Sequence, residues 1–378
     1  VKLQELESDA AHDRFYVPSF SIKVGGKDLL RELFLAVTSV SVDLKERSAG
    51  RFSFTIASSY DWKQDEFLAT EHQDRMDLLE VFAFGSTVEI ALGYGDASKL
   101  KCMIQGIVTE IGTSFSAGST PELSISGVDG LYPLTVGKNT RHWEDEPDSF
   151  AVEDIARLAR LGTDVDPTSP VLARIDQTNE SDMSFLERLA DRHAATFYER
   201  NGKLRFGPRR RKAAAVAELT WGEGLLSFSP EANLARQIAE VRVHGRSEGT
   251  GEAFVGRARA GEEAGVGPAE ETGSKQTIKF LARQPVLNVR APVKNQAEAD
   301  ALAQAILDER AQKFVTGSGE SIGLPEVLPD TRLTLGGLGR AFSKTYYVTE
   351  ATHKIDGSGY RTTFKVEEKS LEPKKEGP

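Results

Sequence analysis

A chain of 378 residues, 39% hydrophobic and 28% charged, has the composition of an ordinary soluble globular protein and the length for two or three domains with separate cores. A formal net charge of −10 excludes a general nucleic-acid coat, because phosphate binding needs clustered positive charge. No apolar run approaches the ~20 residues that cross a bilayer. Val1 to Asp13 is polar and lacks the apolar stretch of a signal peptide, so assembly in a cytoplasm is expected.

The first third reads as short strands and turns. Phe20–Val24 alternates apolar and polar residues up to Gly25-Gly26, and Val40–Leu44 and Phe52–Ile56 repeat the pattern. Val88–Leu92, Met103–Ile111 and Leu123–Ser126 follow. Period-two alternation puts one face in a core and the other in solvent. Several such strands with little helix between them predict a barrel or a sandwich.

After Tyr132-Pro133 the pattern changes. Asp148 is placed to cap a helix through Phe150, Ile155, Leu158 and Ala159, with Gly162 as its stop. A second helix starts near Ser181, with Asp182 in its first turn and an apolar stripe of Phe185, Leu186, Leu189 and Ala190. Asn201-Gly202 between Thr196–Tyr198 and Lys203–Phe206 is a strong hairpin signal. This is a small α+β module.

Alternation resumes at Ile238–Val243. Gly245 to Ser274 is rich in Gly, Ala and Glu, has no period, and reads as a mobile surface insertion. Asn295, with Glu298 three residues on, opens a helix whose Leu302, Ala303, Ile306 and Leu307 face a core. Strands return at Arg332–Leu335, Tyr346–Ala351 and Thr362–Val366, and Glu372 to Pro378 is a polar tail. One echo links the two ends of the chain. Val108-Thr109-Glu110 and Val348-Thr349-Glu350 each follow an alternating strand and precede a turn and another strand. The shared strand order makes two related barrels plausible.

No constellation in the chain supports catalysis. The histidines, His12, His72, His142, His193, His244 and His353, are scattered without metal-ligand spacing. His193 falls at a helix end, where a cation suits the dipole. Cys102, the single cysteine, excludes an intrachain disulfide and reads as a small buried hydrophobe. Gly319-Glu320-Ser321-Ile322-Gly323 matches the nucleophile-elbow pattern, but Pro325 and Pro329 block the helix that must follow, leaving a glycine-rich turn. Gly336-Gly337-Leu338-Gly339 between strands is a hairpin tip rather than a phosphate cradle. Glu144-Asp145-Glu146 reads as a solvated loop rather than a glycosidase pair. Arg209-Arg210-Arg211-Lys212 also reads as a solvated loop, without interleaved aromatics for base stacking. The expectation is therefore no enzyme, no catalytic, cofactor or metal residues, and no sequence-specific nucleic-acid partner.

The run Gln177-Thr178-Asn179-Glu180-Ser181-Asp182-Met183-Ser184-Phe185-Leu186-Glu187-Arg188-Leu189-Ala190, continuing to Phe197 and Leu204-Arg205-Phe206, resembles the phage late control protein D family. That family also covers the front part of type VI secretion spike proteins of the valine-glycine-repeat class. Gly127-Val128-Asp129-Gly130 and Tyr347-Val348-Thr349-Glu350 are further similarities, and the resemblance spans about Phe20 to Glu368.

The resemblance implies a mainly β fold with an α+β insertion. Residues 1–132 would form a first tube-like β-barrel, 133–215 an α+β middle domain, and 216–372 a second barrel. The second barrel would carry a helix near 295–314 and a flexible insertion near 245–276, and 373–378 would be a polar tail. It further implies a baseplate hub of a contractile tail or injection system, assembled in the bacterial cytoplasm. Three copies would form a pseudo-sixfold ring joining the tail tube to the spike and touching other baseplate proteins. Spike proteins of the secretion class continue into a needle; here the chain stops at Pro378, so the needle is expected to be a separate protein. The alternatives are a tail-associated cell-wall hydrolase and a carbohydrate-binding tail module. The second would need exposed aromatic platforms, yet most aromatic residues fall at inward strand positions.

Overall fold

The computed structural model describes residues 2–371 except 4, 6–14, 16, 58, 72–73, 119, 247–250, 265, 267–269, 282, 292 and 294. Strand outweighs helix, 51% to 19%, so the fold is mainly β. Six strands make the first unit: β1 (Pro18–Val24), β2 (Ala36–Lys45), β3 (Arg51–Ala57), β4 (Thr87–Tyr94), β5 (Lys101–Ser114) and β6 (Glu122–Asp129). They lie in the antiparallel order β1-β4-β5-β6-β3-β2. The alternation read from the sequence sets their faces: Phe52, Phe54, Ile56, Leu123 and Ile125 are buried, and Ser124 between the last two is exposed.

The middle unit packs two helices on short strands. These are β7 (Asn139–Glu146), α1 (Asp148–Leu158), β8 (Gly162–Val165), β9 (Leu172–Glu180), α2 (Asp182–Arg192), β10 (Ala195–Arg200) and β11 (Lys203–Pro208). Ser181 caps α2 by accepting from the Ser184 amide, and Phe185, Leu186, Leu189 and Ala190 are buried in one cluster. Asn201 and Gly202 both adopt positive φ, 53° and 73°, at the β10–β11 hairpin. α1 differs from expectation at both ends. Pro147 is its N-cap and its last helical residue is Leu158, so the stop precedes Gly162. Asp148 does not cap because its carboxylate is held elsewhere, 2.8 Å from both Arg192 and His193.

The second unit is a closed barrel of β12 (Ala217–Trp221), β13 (Gly224–Ala232), β17 (Val315–Ile322), β18 (Thr331–Gly336), β19 (Lys344–Asp356) and β20 (Gly359–Glu368). Between β13 and β17 lie β14 (Glu240–Arg246), β15 (Ala253–Arg259), α3 (Gly273–Phe280), β16 (Val286–Arg290) and α4 (Gln296–Gln312). Asn295 caps α4, accepting from the Glu298 amide at 2.9 Å. The 245–276 stretch is not uniformly an insertion without structure. Its described residues include β15, paired along its length with β14, and the start of α3. The inward residues of β15 are Gly256 and Ala258, too small to register as alternation. The Gly319–Gly323 motif is also strand rather than turn. Ser321 lies inside β17, fully buried, and no helix follows it. Gly319 makes room for a ring, since a Cβ there would lie 2.8 Å from Phe364 Cζ.

The two six-stranded units share one plan. The second has the spatial order β12-β18-β19-β20-β17-β13, which matches β1-β4-β5-β6-β3-β2 strand for strand, with chain order preserved. The registers agree as well. Ile56 opposes Leu123 and Phe54 opposes Ile125 in one; Ser321 opposes Thr362 and Gly319 opposes Phe364 in the other. Each unit carries a β-bulge at the threonine of the echoed Val-Thr-Glu, Thr109 in β5 and Thr349 in β19. A second matching pair of bulges falls at Thr38 in β2 and Leu226 in β13. The copies differ at the first strand. β12 runs parallel to β18 and pairs with β13, closing the ring, whereas β1 is antiparallel to β4, and no ladder joins β1 to β2 among the described residues.

Candidate functional site at the barrel junction

The residues weighed for chemistry stay apart. His12 and His72 lie outside the described residues. His142, exposed on β7, stands 3.6 Å from Glu144, and His244 lies 3.0 Å from Asn288. His193 is the C-cap of α2 and holds Asp148. Burial works to raise the Asp148 carboxyl, but His193 and Arg192 together outweigh it and hold it below the usual range. Burial also pushes the half-buried Cys102 thiol up to about 11, away from nucleophile behaviour. Gly336–Gly339 forms the tip between β18 and β19, with Gly337 and Gly339 at positive φ. Glu144–Glu146 ends β7. Among the described residues no group of three His, Cys, Asp or Glu is placed to hold a metal ion.

What the fold does bring together is a junction. β19 hands over from one unit to the other at its bulge. Lys344–Val348 pair with β18, and beyond Thr349 the residues Glu350–Ile355 pair with β2, Lys45 opposite Glu350 and Val40 opposite Ile355. Glu350 bridges Lys45 and Lys365 at 2.8 and 2.7 Å, and Thr352 donates to Asp43 at 2.7 Å. The first core is completed by Leu328, Ile355 and Tyr360 from the second unit. Tyr94 donates to the Gly323 carbonyl at 2.8 Å across the same seam.

A buried polar network clasps the middle unit onto this seam. The single Tyr347 hydroxyl proton is shared between Glu46 and Asp330, the latter at 2.9 Å, and the other Asp330 oxygen accepts from Tyr198 at 2.9 Å. The Arg210 amide also donates to Asp330, at 2.7 Å. Arg209 lies over the Tyr347 ring, with Nη2 3.1 Å from Glu46 as an ion pair. Burial raises the Glu46 carboxyl against the pull of Arg209, and burial with Glu46 and Asp330 drives the Tyr347 phenol far up. Arg209 and Arg210 belong to the basic run expected to be a solvated loop, but the Arg209 side chain is mostly buried in this network, and its partners come from distant parts of the chain. Consecutive Tyr346, Tyr347 and Val348, all buried, were the available signal: a strand covered on both faces.

Each unit also leaves an edge. Among the described residues Glu110–Ser114, the part of β5 beyond its bulge, pairs only with β6. In β13, Ser227–Ala232 pairs only with β17. By the shared plan these correspond to Glu350–Lys354 of β19 and to Ser39–Leu44 of β2, which pair with each other. Covered Ile355 is 6% exposed, and its counterpart Phe115 is 61% exposed.

The family described as Alg8 N-terminal domain matches residues 16–357, nearly the whole chain. The chain belongs to the Alg8 N-terminal domain family. No curated protein matches the sequence. The family fold has solved likenesses. A tail protein from Neisseria meningitidis MC58 is 16% identical, with 93% of this chain and 97% of that one covered and a TM-score of 0.67. The 43 kDa tail protein of prophage MuSo2 from Shewanella oneidensis is 13% identical, covers 92% and 97%, and has a TM-score of 0.64. An E. coli type VI secretion component, described as similar to the T4 phage tail proteins gp27 and gp5, is 11% identical. It covers 92% of this chain and 77% of that one, with a TM-score of 0.56. At these identities the likeness is one of fold.

Proposed function

We propose that this Alg8 N-terminal domain family member is the structural hub of a contractile tail or contractile injection system. Three copies form a pseudo-sixfold ring that seats a sixfold tail tube on a threefold spike, inside a baseplate assembled in the bacterial cytoplasm. On this reading 1–132 and 216–372 are the two tube-like domains and 133–215 is the middle domain that locks them. The work is mechanical, without turnover. Tube, spike and other baseplate proteins are the partners.

One observation carries the reading: a barrel-to-barrel ladder already exists within the chain, and the duplicated counterparts of both its strands each leave an edge unpaired among the described residues. Repeating that contact places β5 of one copy beside β13 of the next, with Ile111 opposite Ala232 of the neighbouring copy as Ala351 is opposite Leu44. A heterologous contact of this kind closes a ring and covers both edges. Pro230 brings no N–H to β13, so the ladder between copies has one donor fewer than the internal one.

The test joins Ile111→Cys with Ala232→Cys in a Cys102→Ser background and adds a short bismaleimide. Covalent trimers are expected from the double variant and none from either single one. Mass photometry showing only monomer, even with tube and spike proteins present, would reject the ring.

A further inference from the structure

A cavity of about 1240 Å³ lies between the end of the middle unit and the second barrel. Seven of its lining residues are Arg or Lys and three are Asp or Glu, although the whole chain is acidic. Most of the cations have work within the chain. Arg209 pairs with Glu46 at 3.1 Å, Arg210 with Asp330 at 3.6 Å, and Arg332 donates to the Ala213 carbonyl at 3.2 Å. Lys344 and Lys369 reach Ser370 and the Ala264 carbonyl.

Arg211 is different. Among the described residues no carboxylate lies within ion-pair distance of it, and its Nε is buried without a hydrogen-bond partner. Burial, aided by the neighbouring Arg209 charge, pulls its pKa down. The side chain is half-buried, Asp308 and Glu367 attract it only from beyond ion-pair distance, and its buried Nε lacks an acceptor, so room for an anion is left beside it.

We propose that this cavity binds an acidic, partly apolar peptide segment of a partner protein, with a carboxylate of the segment received by Arg211. The volume exceeds the roughly 300–1,000 Å³ of a small-ligand pocket. Ala194, Pro208, Ala213 and Leu371 supply apolar wall. Glu270, Asp308 and Glu368 sit in the same lining and repel a uniformly charged polyphosphate, yet accept the amides or a lysine of a peptide. Tyr347, the aromatic residue in the wall, is already covered by Arg209 and offers no stacking face to a base. The Arg fork is suited to a carboxylate through two parallel hydrogen bonds.

Fluorescence anisotropy with a short labelled peptide of glutamate, alanine and leucine tests this on the full chain. Saturable one-to-one binding is expected, weakening as salt rises, with no binding of the same peptide carrying lysine for glutamate. Arg211→Gln is expected to weaken binding at least about tenfold, the loss of a charged hydrogen-bonded pair, and Arg211→Glu to abolish it. Arg236→Gln, outside the cavity, is expected to leave binding intact. Arg211→Gln is also expected to keep or raise the Tm, because it removes a half-buried charge that no carboxylate reaches within ion-pair distance among the described residues; a merely structural arginine would lower it. Equal binding by the wild type and Arg211→Gln, no saturable binding of the acidic peptide, or tighter binding of a single-stranded oligonucleotide than of the peptide would each overturn the proposal.

Discussion

His353 has no exposed surface, and both its ring nitrogens are used. Nε2 lies 2.9 Å from the Val327 carbonyl, which can only accept, so the proton is on Nε2 and Nδ1 accepts from Tyr360 at 3.0 Å. Burial lowers its pKa from 6.5 to about 4. Between those values the unfolded chain binds a proton that the folded chain refuses, so stability present above the unfolded value is lost as pH falls toward the folded one. The loss amounts to about 3 kcal/mol. Denaturant unfolding at neutral and acidic pH checks this. His353→Gln, which can still donate to Val327, is expected to flatten the profile by about 2–3 kcal/mol relative to the wild type. A variant that loses stability on acidification as steeply as the wild type would show that the titration lies elsewhere.

Elements are legible in the sequence to the extent that large side chains mark their faces. Phe52, Phe54 and Ile56 declare β3, Asn201-Gly202 declares its hairpin, and Ser181 and Asn295 declare the helices they cap. β15 escapes because its buried residues are Gly256 and Ala258, chosen for closeness rather than bulk. A Cβ at Gly256 would lie 2.1 Å from the Ala299 carbonyl, so α4 rests directly on that strand. Ring closure and the handover of β19 are equally silent, since pairing partners are set by tertiary contact and not by periodicity. Gly256→Ala is therefore expected to lift α4 and weaken this layer by about 1–3 kcal/mol. Hydrogen exchange of the α4 amides, Ala299 to Leu307, reads the change. Unaltered protection there would mean the strand–helix contact has slack.

Across the whole molecule, three cores meet at one buried charge pair. Glu46 follows β2, Arg209 follows β11, and Tyr347 beneath them lies on β19, so the pair ties the first unit, the middle unit and the second barrel at once. Removing one partner of such a pair costs about 3–5 kcal/mol, because the other charge is left desolvated, while replacing both with apolar groups costs far less. Arg209 retains Glu367 only at 3.7 Å, which does not substitute for Glu46 at 3.1 Å. Glu46→Ala is accordingly expected to uncouple the middle unit: amides around Ile155 in α1 and Leu189 in α2 should exchange more readily than those of Ile125 in β6 and Val315 in β17. In the wild type all four should exchange through one shared opening. The double variant Glu46→Ala with Arg209→Met should recover most of the loss, giving a coupling energy of about 2–3 kcal/mol in the cycle. Protection that falls evenly across all three cores in Glu46→Ala would instead make the pair a general stabiliser, and the middle unit would not be an independently releasable clasp.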